Sequence, residues 1–295
     1  MCGVAIEGNS VLGKRNQKSE ISNQQFFLMK ATIIGGGNIG MALAEGLLEA
    51  KVCPAADITV TRRSESSLVG LREKGFAVST DNAEAIKNAD AVFICVLPQQ
   101  LDVALTQLKA SINLQKQLVV SVVTGAHTGV FREKLGADLH IVRAMPNTAM
   151  KVRASMTCLS AVNATDKDKE MVQNIFDTMG QCIWIAEDMM SAATALCACG
   201  IAFFLRTIRA ASQGGVEIGF HAHDALKIAA QTAFGAAKLL IENKTHPEEE
   251  IDKVTSPKGC TIAGLNEMEH QGLSSAFIKG IKLSSNIADN LYKQS

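Results

Sequence analysis

The chain has 295 residues, 47% hydrophobic and 20% charged, with 29 Lys and Arg against 29 Asp and Glu. This composition excludes an intrinsically disordered chain, and the length allows a large core or two domains. A formal net charge of zero and an aromatic content of 4% offer neither a basic field nor a base-stacking surface, so no nucleic-acid or membrane partner is expected.

Residues 1–28 are rich in Ser, Asn, Gln and Lys and lack the apolar core of a signal peptide. They read as a flexible extension or a start assigned too early. The next stretch, ATIIGGGNIG at 31–40, joins an apolar β-rich run to Gly35-x-Gly37-x-x-Gly40 without a gap. A helical pattern follows, with Met41, Ala42, Ala44, Leu47 and Leu48 on one side and Glu45 and Glu49 on the other. Strand, glycine turn and helix in that order form the context of a dinucleotide site. Gly35 allows the turn, Gly37 lets backbone amides approach a pyrophosphate, and Gly40 lets the helix pack on the strand.

The second strand is 58–62. An NAD-selective site places an acid at its end to bind the ribose hydroxyls. Here Arg62, Arg63 and Ser64 occupy that place. Two guanidinium groups and a hydroxyl suit a ribose 2′-phosphate, which predicts NADPH as the cofactor, with NADH as the second candidate. Residues 76–80 form a third strand, and Asp81-Asn82 then opens a helix as cap residues. The run AVFICV at 91–96 is a central parallel strand. Pro98 lies at its carboxyl end, the ligand edge of an open α/β sheet. Further strands are expected at 118–122, 140–144, 156–162 and 182–186, with a helix at 166–179 closed by Gly180.

From Asp188 the pattern is helical: 189–213, 221–243, 247–254, 260–270 and 273–292, punctuated by Gly214-Gly215, Gly219 and Pro247. The fold class is therefore α/β. A Rossmann-type dinucleotide-binding domain over 29–187 is followed by an all-α domain over 188–295, with a cleft between them. The apolar run 192–205 is too short to span a bilayer and reads as a buried helix. The helix over 189–210 carries more apolar surface than one helical layer hides, which predicts a homodimer built on the α half. Eight cysteines lie mainly in apolar runs, without a CxxC pair or Cys/His metal spacing. They read as reduced thiols of a cytoplasmic protein, and no metal site is expected.

Thr255-Ser256-Pro257-Lys258-Gly259-Cys260-Thr261 stands before a helix expected to turn Leu265 and Met268 inward. Ser256 and Pro257 resemble a cap and first-turn pair. The amides there could hold a small carboxylate, Lys258 adds positive charge and Thr261 a hydroxyl. An ordinary helix start fits the same residues.

GGGNIG at 35–40, VLPQ at 96–99, MPNT at 145–148, GGVEIG at 214–219 and TSPKGCTIAGLNEME at 255–269 together resemble the pyrroline-5-carboxylate reductase family over all but residues 1–28. The resemblance implies reduction of Δ1-pyrroline-5-carboxylate to L-proline with NAD(P)H, the last step of proline biosynthesis. It implies a 6-phosphogluconate-dehydrogenase-like architecture whose helical domain forms a homodimer or higher homo-oligomer. By that resemblance Gly37, Asn38, Ile39, Arg62, Arg63 and Asn82 contact the cofactor, as do Val96, Leu97, Pro98 and Gly125. Ser256, Gly259, Cys260 and Thr261 would bind substrate, its ring nitrogen near the Thr261 hydroxyl. Two departures stand out: Pro257-Lys258-Gly259 replaces the usual Pro-Gly-Gly, and Cys197 to Phe203 replaces a Ser-Gly-Ser-Gly-Pro-Ala-Tyr-like run.

A protonated cyclic imine already accepts hydride, so catalysis can rest on proximity and orientation. A 3-hydroxyacid or ketopantoate-type dehydrogenase needs an acid or base, commonly lysine, on the helix lining the cleft. From Ser191 to Leu205 there is none, and the first basic residue is Arg206. His221 and His223 read as solvated residues at a helix start. A non-catalytic NADPH-binding protein is the third reading.

Overall fold

A computed structural model describes residues 29–292; the reading of residues 1–28 lies outside them. The strands are β1 (Ala31–Ile34), β2 (Ile58–Thr61), β3 (Ala77–Ser79), β4 (Ala91–Ile94), β5 (Leu118–Ser121), β6 (Ile141–Met145), β7 (Ser155–Val162) and β8 (Gly180–Trp184). They form one sheet in the order β3-β2-β1-β4-β5-β6-β7-β8. Pairing is parallel from β3 through β6, β7 runs antiparallel to β6, and β8 is parallel to β7. The order reverses between β1 and β4, which opens a crevice at their carboxyl ends.

Six helices accompany the sheet: α1 (Asn38–Glu49), α2 (Val69–Glu73), α3 (Asn82–Ala85), α4 (Leu101–Leu108), α5 (Thr128–Leu135) and α6 (Asp166–Asp177). The strand period of two sorts neighbouring residues to opposite faces. Ile33, Phe93 and Val120 pack with Leu43 and Leu47 of α1 and Phe176 of α6. Ile34, Ile94 and Val119 pack with Leu101 and Leu105 of α4 and Phe131 of α5. Covered on both faces, the central strands read as continuous apolar runs, as a parallel sheet requires. Gly180 opens β8, and the preceding helix closes earlier, at Asp177.

Among the described residues every regular element after β8 is helical, including α7 (Met190–Ala193), a π-helical turn at Thr194–Cys199, α8 (Gly200–Glu217), α9 (Ala222–Asn243), α10 (Pro247–Lys253), α11 (Cys260–His270) and α12 (Leu273–Asn290). Gly214 and Gly215 do not end α8, which continues to Glu217. A β-carbon on Gly215 would lie 3.0 Å from that of Ala225, so this glycine lets α9 approach α8. Gly219, at φ +110°, makes the turn instead.

The apolar helix expected to be buried is not buried within one chain. In α8 only Gly200 and Ser212 are buried, while Phe204, Leu205, Val216 and Ile218 are exposed. Across α9 to α12, Phe234, Ile241, Met268, Leu283 and Ile287 are exposed as well, so Met268 does not turn inward. The helical run Glu187–Glu217 has 31 residues and mean hydropathy 1.7 over its most apolar window, of which 28% is buried. By length and composition it could cross a bilayer, contrary to expectation. The expectation took only the uncharged stretch 192–205, whereas the helical run continues past Arg206 and Arg209 to Glu217.

Polar contacts fasten the helices to the sheet at both ends. Glu187 accepts hydrogen bonds from the Thr128 amide and hydroxyl, each at 2.6 Å. It also pairs with the buried Arg143 of β6 at 3.3 Å. At the other end, Tyr292 donates to Asp102 of α4 at 2.7 Å, and Lys134 reaches the same carboxylate oxygen at 2.9 Å.

Burial alone would raise the Glu187 carboxyl. The Thr128 hydrogen bonds and the Arg143 charge outweigh it and hold the carboxyl below its ordinary value of 4.5. A carboxyl lowered by folding contributes stability that is present above its unfolded pKa and is lost as pH falls through the folded value. Glu187→Gln is therefore expected to cost about 2 kcal/mol at neutral pH and to lose less further stability on acidification than the parent chain. Urea unfolding at about pH 7 and about pH 3.5 measures both; parallel acid slopes would remove Glu187 from this role.

Candidate active site

The crevice at the switch point holds a cleft of about 710 Å³. Its entrance is the turn between β1 and α1. Gly35 adopts φ +99°, and a β-carbon there would lie 2.7 Å from the Cys95 carbonyl oxygen beyond β4. One on Gly40 would lie 2.1 Å from the Gly35 carbonyl oxygen. Gly40 thus seats α1 on the turn and does not itself line the cleft.

Gly37 is the N-cap of α1, with no side-chain cap and no acid in the first turn. No atom lies within 4 Å of where its β-carbon would stand. The first-turn amides therefore have open space before them, as a pyrophosphate requires. Gly35, Gly37, Asn38 and Ile39 line this side. Val96, Leu97 and Pro98 form the floor, with Val122 and Thr124 beyond. Burial pushes the neighbouring Cys95 thiol up to about 12, so it stays neutral.

Arg62, Arg63 and Asn82 line the β2–β3 side. Arg62 Nη1 donates to the Ser67 carbonyl at 3.0 Å, while its buried Nε has no hydrogen-bond partner. An unpaired cationic donor in this wall fits an anionic ligand group. Asp81, not Asn82, caps α3, its carboxylate accepting from the amides of Ala83 and Glu84. The Asn82 side chain instead donates to Gln107 of α4 at 2.7 Å. Thr124 lines the cleft from the turn after β5. Gln107, Gly36 and Ser67 also line it and were not singled out from sequence. The helical period of α4 carries the signal for Gln107; no local pattern marks the other two.

Gly125 does not line the cleft. A β-carbon there would meet the Tyr292 amide nitrogen at 2.9 Å and the Ala288 carbonyl oxygen at 3.0 Å, so it admits the end of α12.

Ser256, Lys258, Gly259, Cys260 and Thr261 are not brought to this cleft within one chain. Ser256 and Pro257 are not a cap pair: the Gly259 amide donates to the Ser256 carbonyl at 3.0 Å, and Gly259 is the N-cap of α11, without a side-chain cap. Ser256, Lys258 and Cys260 are exposed and Thr261 is half-buried. Lys258 sits at φ +60°, the left-handed region that glycine enters freely, which explains why the resembling family carries glycine there.

The Cys197 to Phe203 departure begins in the π-helical turn. The buried Cys197 thiol donates to the Met156 carbonyl at 2.7 Å, and Asn147 donates to the Cys197 carbonyl at 3.3 Å. A hydrogen bond with Cys158, followed by burial, pushes this thiol up and keeps it neutral. Cys199 is half-buried, and both are free. His221 and His223 are exposed. Among the described residues, no His, Lys, Asp or Glu lines the cleft, and no cluster of three or more His, Cys, Asp and Glu could hold a metal.

A doubly wound sheet, a glycine turn opening onto its switch point and a helical second half define a nicotinamide-dinucleotide-binding oxidoreductase. Residues 187–291 match the model for pyrroline-5-carboxylate reductase dimerisation, and residues 30–125 match that for NADP oxidoreductase, coenzyme F420-dependent. The chain is 44% identical to pyrroline-5-carboxylate reductase 2 of Dictyostelium discoideum over 269 residues, covering 86% of this chain and 90% of that one. It is 50% identical over 274 residues to pyrroline-5-carboxylate reductase 1 of the same organism, covering 89% of this chain but spanning only half of that protein. It superposes with a TM-score of 0.83 on Plasmodium falciparum pyrroline carboxylate reductase with NADP bound, at 23% identity, covering 90% and 98% of the two chains. The chain belongs to the pyrroline-5-carboxylate reductase family.

Gly37→Ala should fold normally, since its β-carbon enters open space, yet obstruct the dinucleotide. Titration with NADPH should show affinity weakened at least about tenfold, the equivalent of one lost backbone contact, with the thermal midpoint held. Unweakened binding would place the pyrophosphate elsewhere.

Proposed function

We propose that the chain reduces Δ1-pyrroline-5-carboxylate to L-proline with NADPH, as the last step of proline biosynthesis. The observation that carries this reading is a dinucleotide cleft, in a member of this family, to which the described residues of one chain contribute no His, Lys, Asp or Glu. An alcohol dehydrogenase needs such a group. A protonated imine does not, because its carbon is already electrophilic. The dehydrogenase reading is therefore disfavoured, and a non-catalytic NADPH-binding role is what the assay below separates.

Reduced nicotinamide, when bound, supplies the hydride. The chain supplies position and a dry wall. Val96, Leu97 and Pro98 offer an apolar floor, and the first turn of α1 offers amides for the pyrophosphate. Arg62 and Arg63 favour a ribose 2′-phosphate, and hence NADPH over NADH. The free N-terminus of α11 suits the substrate carboxylate, with Lys258 adding charge. The Thr261 hydroxyl accepts a hydrogen bond from the protonated ring nitrogen and so orients the carbon beside it.

In one chain the 256–261 turn does not line the cleft, so a second copy brings it there. The exposed apolar face of α8, α9 and α12 is the surface over which two copies pair. Arg206 and Arg209 on α8 and Lys227 and Lys238 on α9 favour that partner over a bilayer. On this reading residues 29–187 hold the cofactor, and residues 188–295 pair the copies and present the turn. No nucleic acid or membrane takes part. The free thiols of the described residues suit the cytoplasm.

NADPH oxidation with Δ1-pyrroline-5-carboxylate, and proline-dependent NADP⁺ reduction at high pH, test the activity. Silence in both directions would favour the non-catalytic reading. Thr261→Ala should lower kcat/KM roughly tenfold, as the loss of one hydrogen bond of about 1.4 kcal/mol predicts. Unchanged kinetics would remove Thr261 from the mechanism.

A further inference from the structure

We propose that Gly36 is a positioning residue for cofactor selectivity: its missing side chain is the seat on which the Arg62 guanidinium lies. The inference rests on the reading of Arg62 as a 2′-phosphate ligand and adds what holds that ligand in place.

Gly36 is not one of the three spaced glycines of the motif, so the turn itself does not ask for it. Nor does its backbone, since Gly36 is absent from the positive-φ glycines that include Gly35. Space is what demands it. A β-carbon on Gly36 would stand 2.9 Å from Arg62 Nε, 3.2 Å from Arg62 Cγ and 2.7 Å from Val60 Cγ1. The arginine side chain occupies the volume that any other residue would need.

Both partners are held by their backbones. The Gly36 amide donates to the Thr61 carbonyl at 2.9 Å, and the Arg62 amide donates to the Ser79 carbonyl at 3.2 Å. The far end of the guanidinium is tied to the Ser67 carbonyl at 3.0 Å. Arg62 is thus clamped between the glycine turn and the loop after β2, its Nε buried and unpartnered. Glu65, the nearest acid in sequence, is engaged by Arg72 at 2.8 Å. The rest of this half-exposed side chain lines the cleft. Its position in the cofactor cleft gives it an anionic ligand to meet.

An added methyl group would press mainly on side chains, and the arginine tip is the more mobile of the two. Gly36→Ala should therefore act on selectivity, through Arg62. The measurement is KM for NADPH and for NADH in the full chain, for Gly36→Ala, Arg62→Ala and the double variant. Gly36→Ala should raise the NADPH-to-NADH KM ratio about tenfold, the effect of one misplaced charge-assisted contact. Arg62→Ala should raise it at least as much, and the double variant no further than Arg62→Ala alone. An unchanged ratio in Gly36→Ala, or effects that multiply in the double variant, would overturn the inference. A ratio unmoved by Arg62→Ala would instead overturn the 2′-phosphate reading, and this inference with it. Should Gly36→Ala fail to fold, recovery of folding in the double variant would support the seat, and failure of both would overturn it.

Discussion

The cleft exists because two backbone segments touch where β1 meets α1. The Gly35 carbonyl oxygen lies where a side chain on Gly40 would have to begin, and the end of β4 closes on Gly35 from the other side. This contact sets the distance between the start of α1 and the strand ends. It thereby aims the uncapped amides of the first turn at the crevice between β1 and β4. The apolar floor, the arginine wall and the glycine seat beneath it are all placed relative to that aim. A bulkier residue at either glycine would tilt the helix, and the anion site would lose its geometry before the core lost much packing.

The helical half follows a different logic. Its helices bury few side chains within one chain, and their apolar residues face outward. Area removed from water is the main stabilising term in folding and in obligate association alike. A half with so little internal burial is therefore complete only when something covers it. The same arrangement leaves the 256–261 turn outside its own chain's cofactor cleft. Fold and assembly are in this sense one problem.

Much of this was legible in the residues. Continuous apolar runs gave away the central strands, and the order of strand, glycine turn and helix gave away the cofactor cleft. Thr165 and the acid at Asp168 formed a capping box at the start of α6 as local chemistry dictates. The misses have physical causes. β7 alternates in the same way whether it runs up or down, so its antiparallel pairing with β6 left no trace in the pattern. Gly214 and Gly215 looked like a stop because a glycine needed for close helix packing is indistinguishable from one needed for a turn. What the missing side chain of Gly125 admits could not be read locally either, because it is a helix end more than 160 residues further along. The exposed apolar face of α8 was legible as an excess of apolar residues over what one helical layer hides.

The tie between Tyr292 and Asp102 joins positions separated by 190 residues. On a ribosome the sheet emerges first and can fold alone, domain by domain. The loop at Gly125 and the carboxylate of Asp102 must then wait, uncovered, until α12 has left the exit tunnel. Closure of that surface on the nucleotide half thus waits on synthesis of α12, and a nascent chain stalled before α12 would display it to chaperones.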